Sequence, residues 1–162
     1  MRLLMNLIVL FILPFIMPKS EETISTETYS EYCNVRYDFC VNYPSHILSD
    51  KFVSDNDDGV VLSNANNNLT VTVSGSPVVS GKSVSDMYDD IVVKYLEEEN
   101  GDREIYIIIQ EDYFETSFIR GDQMYYQKLK REGGDDIMLE IVGPKGSKYS
   151  INDLKEKIEL TF

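Results

Sequence analysis

Gly81-Lys82-Ser83 makes the clearest chemical offer in this chain, because Gly-Lys-Ser between a strand pattern and a helix pattern is where a phosphate-binding loop sits. That loop needs a glycine where Ser76 stands, and Gly75 is one residue too far. Pro77 removes a backbone donor from the cradle, and no second acidic strand follows to hold magnesium. The run reads as a connecting loop. Asp55-Asn56-Asp57-Asp58-Gly59 carries the hard oxygens that calcium prefers, but an EF-hand loop would put Asp at Ser54 and a bidentate Glu at Ala65. A turn led by Asp58-Gly59 is expected instead. Arg120-Gly121-Asp122, an adhesion tripeptide in other settings, supplies the glycine that a tight hairpin requires. His46 is the only histidine, so no histidine pair can bind zinc and no second one can serve as a base. There is no Gly-x-Ser-x-Gly elbow. Glu97, Glu98, Glu99 and Asp102 form an acidic run at a helix end, which is normally solvated. No catalytic residue, cofactor site or metal ligand is therefore assigned. Paired carboxylates matched only in space are invisible to this reading, so a hydrolase using loop carboxylates stays as an alternative.

Cys33 and Cys40 are the only cysteines. Their spacing suits a hairpin with Cys33 opposite Cys40, Asn34 opposite Phe39 and Val35 to Asp38 turning, which makes them disulfide candidates; the alternative is two thiols, with Cys40 filling space. The compartment matters here. Met1 to Ser20 begins with Arg2, continues through an apolar run from Leu3 to Met17 broken only by Asn6 and Pro14, and ends in Pro18-Lys19-Ser20. That is the pattern of a secretory signal peptide. The run is shorter than the ~20 residues of a bilayer span, and Pro14 suits a spanning helix poorly, so no stable membrane span is expected after cleavage. The expected location is secreted or periplasmic, where disulfides persist. Asn68-Leu69-Thr70 is a glycosylation acceptor where the source cell has the machinery.

Charge narrows the partners. The chain carries a net −13, and removing a leader that holds Arg2 and Lys19 but no acid leaves 13 basic against 28 acidic side chains, a net −15. Such a surface repels phosphate backbones and anionic lipid, so no nucleic-acid partner is expected, and a basic protein or a divalent cation is a better expectation. A solvated acidic surface that keeps a monomer soluble is the plainer reading of the same charge.

The elements that must position these residues follow from periodicity. Glu21 to Glu31 is polar and reads as a flexible tether. From residue 32 to 162 a single domain is expected. Tyr37, Phe39, Val41 and Tyr43 alternate with polar residues until Pro44, a half-buried strand; Ser45 to Asp58 reads as a loop anchored by Phe52. Val60–Ser63 and Leu69–Ser74 form a second hairpin about an asparagine-rich turn, with Leu69, Val71 and Val73 inward. From Val84 the period changes: Val84, Met87, Tyr88, Ile91, Val92, Tyr95 and Leu96 make one helical stripe, capped by Ser83 with Asp86 and ended by Asn100-Gly101. A four-strand meander follows, 104–110, 113–120, 123–130 and 137–142, with Ile105, Ile107 and Ile109 on one face of its first strand and Ile137, Leu139 and Ile141 on one face of its last, all expected to be buried. Ser150 with Asp153 caps a last helix carrying Ile151, Leu154 and Ile158, and Asp153 is spaced to pair with Lys157. The fold class is α+β: an antiparallel sheet of two N-terminal hairpins plus a meander, packed against two main helices.

That order resembles the PsbP-like fold family of small exported bacterial proteins. Tyr37-Asp38-Phe39-Cys40-Val41-Asn42-Tyr43-Pro44 is similar to the family's early aromatic strand ending in Tyr-Pro. Ser117-Phe118-Ile119-Arg120-Gly121-Asp122 with Met124-Tyr125-Tyr126-Gln127-Lys128 is similar to its central hairpin, and Lys148-Tyr149 with Ile158-Glu159-Leu160-Thr161-Phe162 to its close. Val142-Gly143-Pro144 departs from the Tyr-Pro expected there. The resemblance implies a fold and no shared catalytic set, so no active residue carries over. The expected function is an exported, non-catalytic binding or accessory protein. A periplasmic immunity-type protein that neutralises a secreted toxin is the second expectation, suited by small size and acidity to fast capture of a basic target.

Overall fold

Ile137, Leu139 and Ile141 alternate with Met138, Glu140 and Val142, and this period of two decides which side of the central sheet is dry. The computed structural model describes residues 27–93, 96, 103–147 and 150–162. The expected signal peptide, the helix end at Asn100-Gly101, the acidic run and Lys148-Tyr149 lie outside the described residues.

Among the described residues, ten strands build two antiparallel sheets. β1 (Tyr29–Asn34) and β2 (Phe39–Pro44) form a hairpin that β10 (Glu159–Thr161) completes on the far edge of β2. β3 (Asp50–Val53), β4 (Gly59–Ser63), β5 (Thr70–Pro77), β6 (Arg103–Ile109), β7 (Tyr113–Arg120), β8 (Gln123–Glu132) and β9 (Asp135–Pro144) form a seven-stranded sheet in the order β3-β4-β5-β9-β8-β7-β6. The meander therefore sits where expected, with the second hairpin added to it through β5 and β9. The first hairpin forms a separate sheet.

Paired structure begins at Tyr29, three positions before the expected start of the domain, because β1 runs in register against β2 from Tyr29↔Pro44 to Asn34↔Phe39. Cys33 and Cys40 stand opposite each other in that ladder and are bridged.

Among the described residues the α-helical stretches are short and the structure is mostly β, with Leu96 of the expected stripe also helical. α1 is only Val84–Tyr88, followed by a π-helical stretch over Asp89–Val93. The run Ile91-Val92-Val93 supplies a reason, since consecutive β-branched residues crowd an α-helical turn. Ser83 and Asp86 form a complete capping box. α2 (Ile151–Lys155) is one turn and a half, capped by Ser150 as expected. Lys157, beyond its end, pairs with Glu27 and not with Asp153, because the chain has already left the helix there.

The two faces of the large sheet are covered by different things. One face carries Val60, Leu62, Leu69, Val71, Val73, Ile137, Leu139, Ile141 and Tyr126 and packs on Phe39 and Val41 of the small sheet, on Ile47 and Leu48, and on Ile151 and Leu154 of α2. The opposite face carries Phe114, Phe118 and Leu129, covered by Val84, Tyr88 and Val92. Tyr88 meets Phe114 edge-on at 5.6 Å, and Phe118 stacks on Tyr125 across the strand pair at 4.9 Å. Cover is thus diagonal: α1 and its extension reach β7 and β8, and none of the described residues covers the same face of β3, β4 and β5.

Two expectations fail at the sheet edges. Ser45 to Asp58 is not all loop, and its anchor is not Phe52: Ile47 and Leu48 are the buried residues, while Asp50–Val53 is an edge strand with Phe52 64% exposed. The pattern Asp50-Lys51-Phe52-Val53 has no period of two, as suits a strand wet on both sides. At the other edge, Ile107 and Ile109 are 39% and 38% exposed, not buried. β6 has one neighbour only, and a bulge between Glu104 and Tyr106 breaks its register.

Candidate functional site

The residues that first suggested chemistry have local structural uses. Gly81 holds φ +82° in the loop before α1, Lys82 pairs with Asp90, and Ser83 is the α1 cap. Gly75 lies in β5 facing Tyr37, whose ring and Cβ occupy the space that a side chain there would need. In the aspartate-rich turn, Asp58 N and Gly59 N donate to Ser54 Oγ at 3.1 and 3.0 Å, and Asn56 Nδ2 donates to Asp58 Oδ2 at 2.8 Å. Hydrogen bonding to the carboxyl itself, from the Ser54 hydroxyl first and also from Asn56, holds Asp58 below the usual range. Arg120-Gly121-Asp122 is the β7–β8 turn, with Gly121 at φ +56°. His46 is exposed beside the Thr28 carbonyl. Among the described residues, the only grouping of three potential metal-ligand side chains is Glu31 with Cys33 and Cys40, and its sulfurs are already bonded to each other.

Two other places have the makings of a site, and neither was singled out from sequence. The first lies where α2 meets β7 and β8. Lys155 Nζ is 3.7 Å from Glu115 Oε1, 5.2 Å from the Tyr126 ring centre and 5.7 Å from that of Tyr106. An ammonium between a carboxylate and two aromatic faces is well held. Burial first, then the Glu115 charge and its hydrogen bond, push the Tyr126 phenol far above the ordinary tyrosine range, so it is a donor and not a base. Chemically, this cluster clamps α2 to the sheet.

The second is the bare half of the α1-side face. Phe52, Val61, Thr72, Glu140, Gln127 and Thr116 stand in one register row running straight across β3, β4, β5, β9, β8 and β7. At the outer end Phe52 and Val61 are exposed, and with Ser54, Asp58, Thr72 and Ser74 they line a shallow apolar depression. At the inner end Gln127 is 2% exposed and donates from Nε2 to Glu140 Oε2 at 2.6 Å, while its buried Oε1 has no hydrogen-bond partner. A buried orphan oxygen costs about 1–3 kcal/mol, which an apolar side chain would avoid. What the amide does there is fix one carboxylate in the floor of the bare surface. Sequence offered a faint signal: Gln127 and Glu140 are polar where the flanking core positions of their strands are apolar.

With the geometry in view, the molecule can be set against known structures. The solution structure of cyanobacterial PsbP (CyanoP) from Synechocystis sp. PCC 6803 superposes with a TM-score of 0.60 at 10% identity, covering 89% of this chain and 99% of that one. The chain has a PsbP-like fold. A Bacteroides thetaiotaomicron VPI-5482 structure, 14% identical, covers 76% of this chain and 45% of that one with a TM-score of 0.37. No protein-family description and no curated protein sequence matches the chain. Within the PsbP-like fold, the bare half-face lies on the strands of the second hairpin and β9, away from both helices. None of the described helices is long and apolar enough to cross a membrane.

Proposed function

We propose that this is an exported, non-catalytic binding or accessory protein, acting in the periplasm or outside the cell. One observation carries the reading: an aromatic and an aliphatic side chain stand exposed in the same register row as a carboxylate that a buried glutamine holds in place, on the half of the face that α1 does not reach. A fixed acceptor in line with an apolar patch is the anatomy of a contact surface. The leader-like first twenty residues support export, and the bridged cysteines fit an oxidising compartment. A turnover screen of the purified protein against glycan, ester and phosphate substrates should find no activity above background; robust turnover by any of them would replace this reading with the hydrolase alternative.

The net charge favours a second reading, the neutralisation of a basic toxin delivered into the periplasm. Its cheap test is the gene's neighbourhood, where a toxin gene is expected and a setting of housekeeping genes counts against it.

A further inference from the structure

We infer that the bare half-face docks a basic protein segment that places an apolar side chain on Phe52 and Val61 and a lysine or arginine on Glu140. This rests on the binding reading above and names its surface and the chemistry of its partner. Three strand spacings separate Phe52 from Glu140 in the register row, so the two anchors lie about 14 Å apart. The surface between them is Thr72, small and uncharged.

Charge complementarity selects the occupant. Asp50, Asp58 and Glu140 surround the patch; Lys51 borders its Asp50 end and Arg36 lies near Asp58, while the Glu140 end has no lysine or arginine in its register row. An acidic partner would meet three carboxylates, and a second copy of this chain would bring the same acids against themselves. A cationic segment meets neither obstacle. Gln127 supplies the independent argument. Its amide donates to Glu140 while its own oxygen goes unpaired, an arrangement that keeps the carboxylate aimed and leaves its second oxygen for an incoming donor.

The test uses the purified full chain and a synthetic peptide of lysine and leucine, with a glutamate-for-lysine counterpart as control. Backbone amide shifts should move saturably at Phe52, Val61, Thr72 and Glu140 with the lysine peptide, and the control should leave them still. Glu140→Gln should weaken binding about tenfold, the equivalent of one well-placed charge pair, and Phe52→Ser by a similar factor. Gln127→Leu should bind more weakly while unfolding at equal or higher denaturant, a split that a purely structural glutamine would not produce. Absence of saturable binding, or binding indifferent to Glu140→Gln and Phe52→Ser, overturns the inference and leaves the binding reading in place. Self-association of the chain that Phe52→Ser abolishes would overturn the proposed partner chemistry instead. Turnover in the substrate screen, by contrast, would defeat the underlying reading.

Discussion

Arg131 and Asp136 show how much one pair can fix. Asp136 is 2% exposed, and the guanidinium meets it through two parallel bonds, Nε to Oδ1 at 2.7 Å and Nη2 to Oδ2 at 3.0 Å, while Nη1 donates to the Lys82 carbonyl at 2.7 Å. One side chain thereby ties the β8–β9 hairpin to the loop before α1. Arg131→Met leaves a buried carboxylate without its partner and should cost about 3–5 kcal/mol in a urea unfolding experiment. Gly75 makes a second argument of the same grain. A Cβ there would lie 2.3 Å from the Tyr37 ring and 2.6 Å from Tyr37 Cβ, so Gly75→Ala should destabilise the native chain and do so far less in a Tyr37→Ala background, as a double-mutant cycle would reveal. Neither contact was legible in the sequence. Arg131 and Asp136 are five positions apart with no periodic relation, and only the hairpin register brings them together.

Elements were legible where the residue period was strong and a partner lay on both sides. Leu69, Val71, Val73, Ile137, Leu139 and Ile141 alternate cleanly and are all buried, and the cap at Ser83 follows from Ser83-x-x-Asp86 alone. Edge strands were harder. Ile107, Ile109 and Phe52 have the side chains of core residues, but a strand with one neighbour has nothing on its open side to dry them. The α1 cap supports a pH prediction. The Asp86 carboxyl is held below its ordinary range by the Ser83 hydroxyl and then the Ser83 backbone N–H; Asp112 is lowered by Lys130, and Glu27 by Lys157. Groups whose folded values are depressed contribute stability that is complete above their unfolded values and disappears as pH falls through the folded ones. Urea midpoints should therefore hold from neutrality down to about pH 5 and drop progressively below it. Ser83→Ala should lose about 1 kcal/mol at neutral pH and show a shallower acid fall than the native chain.

At the scale of the whole molecule, two sheets and two short helices are held together by packing, one disulfide and the ties just described. The PsbP-like fold could be read from the order of hairpins, helix and meander, whereas the mostly β balance, in place of the expected α+β, and the split into a three-stranded and a seven-stranded sheet could not, because nothing in a strand's own pattern says which neighbour it takes. The Cys33–Cys40 bridge closes a short loop, worth about 2.5 kcal/mol by the chain-entropy argument, and replacing both cysteines with alanine should lower the denaturation midpoint accordingly without altering the strand register, as amide exchange across β1 and β2 would report. The pairing of β10 with β2 has a consequence in time. Asn42, Val41 and Cys40 find their second neighbours only in Glu159, Leu160 and Thr161. While a nascent chain is still leaving the ribosome, that hairpin rim stands open with its amides unclaimed. Truncation before Glu159 should therefore leave this rim open to mispairing with other chains, as a rise in aggregation of the shortened protein would report.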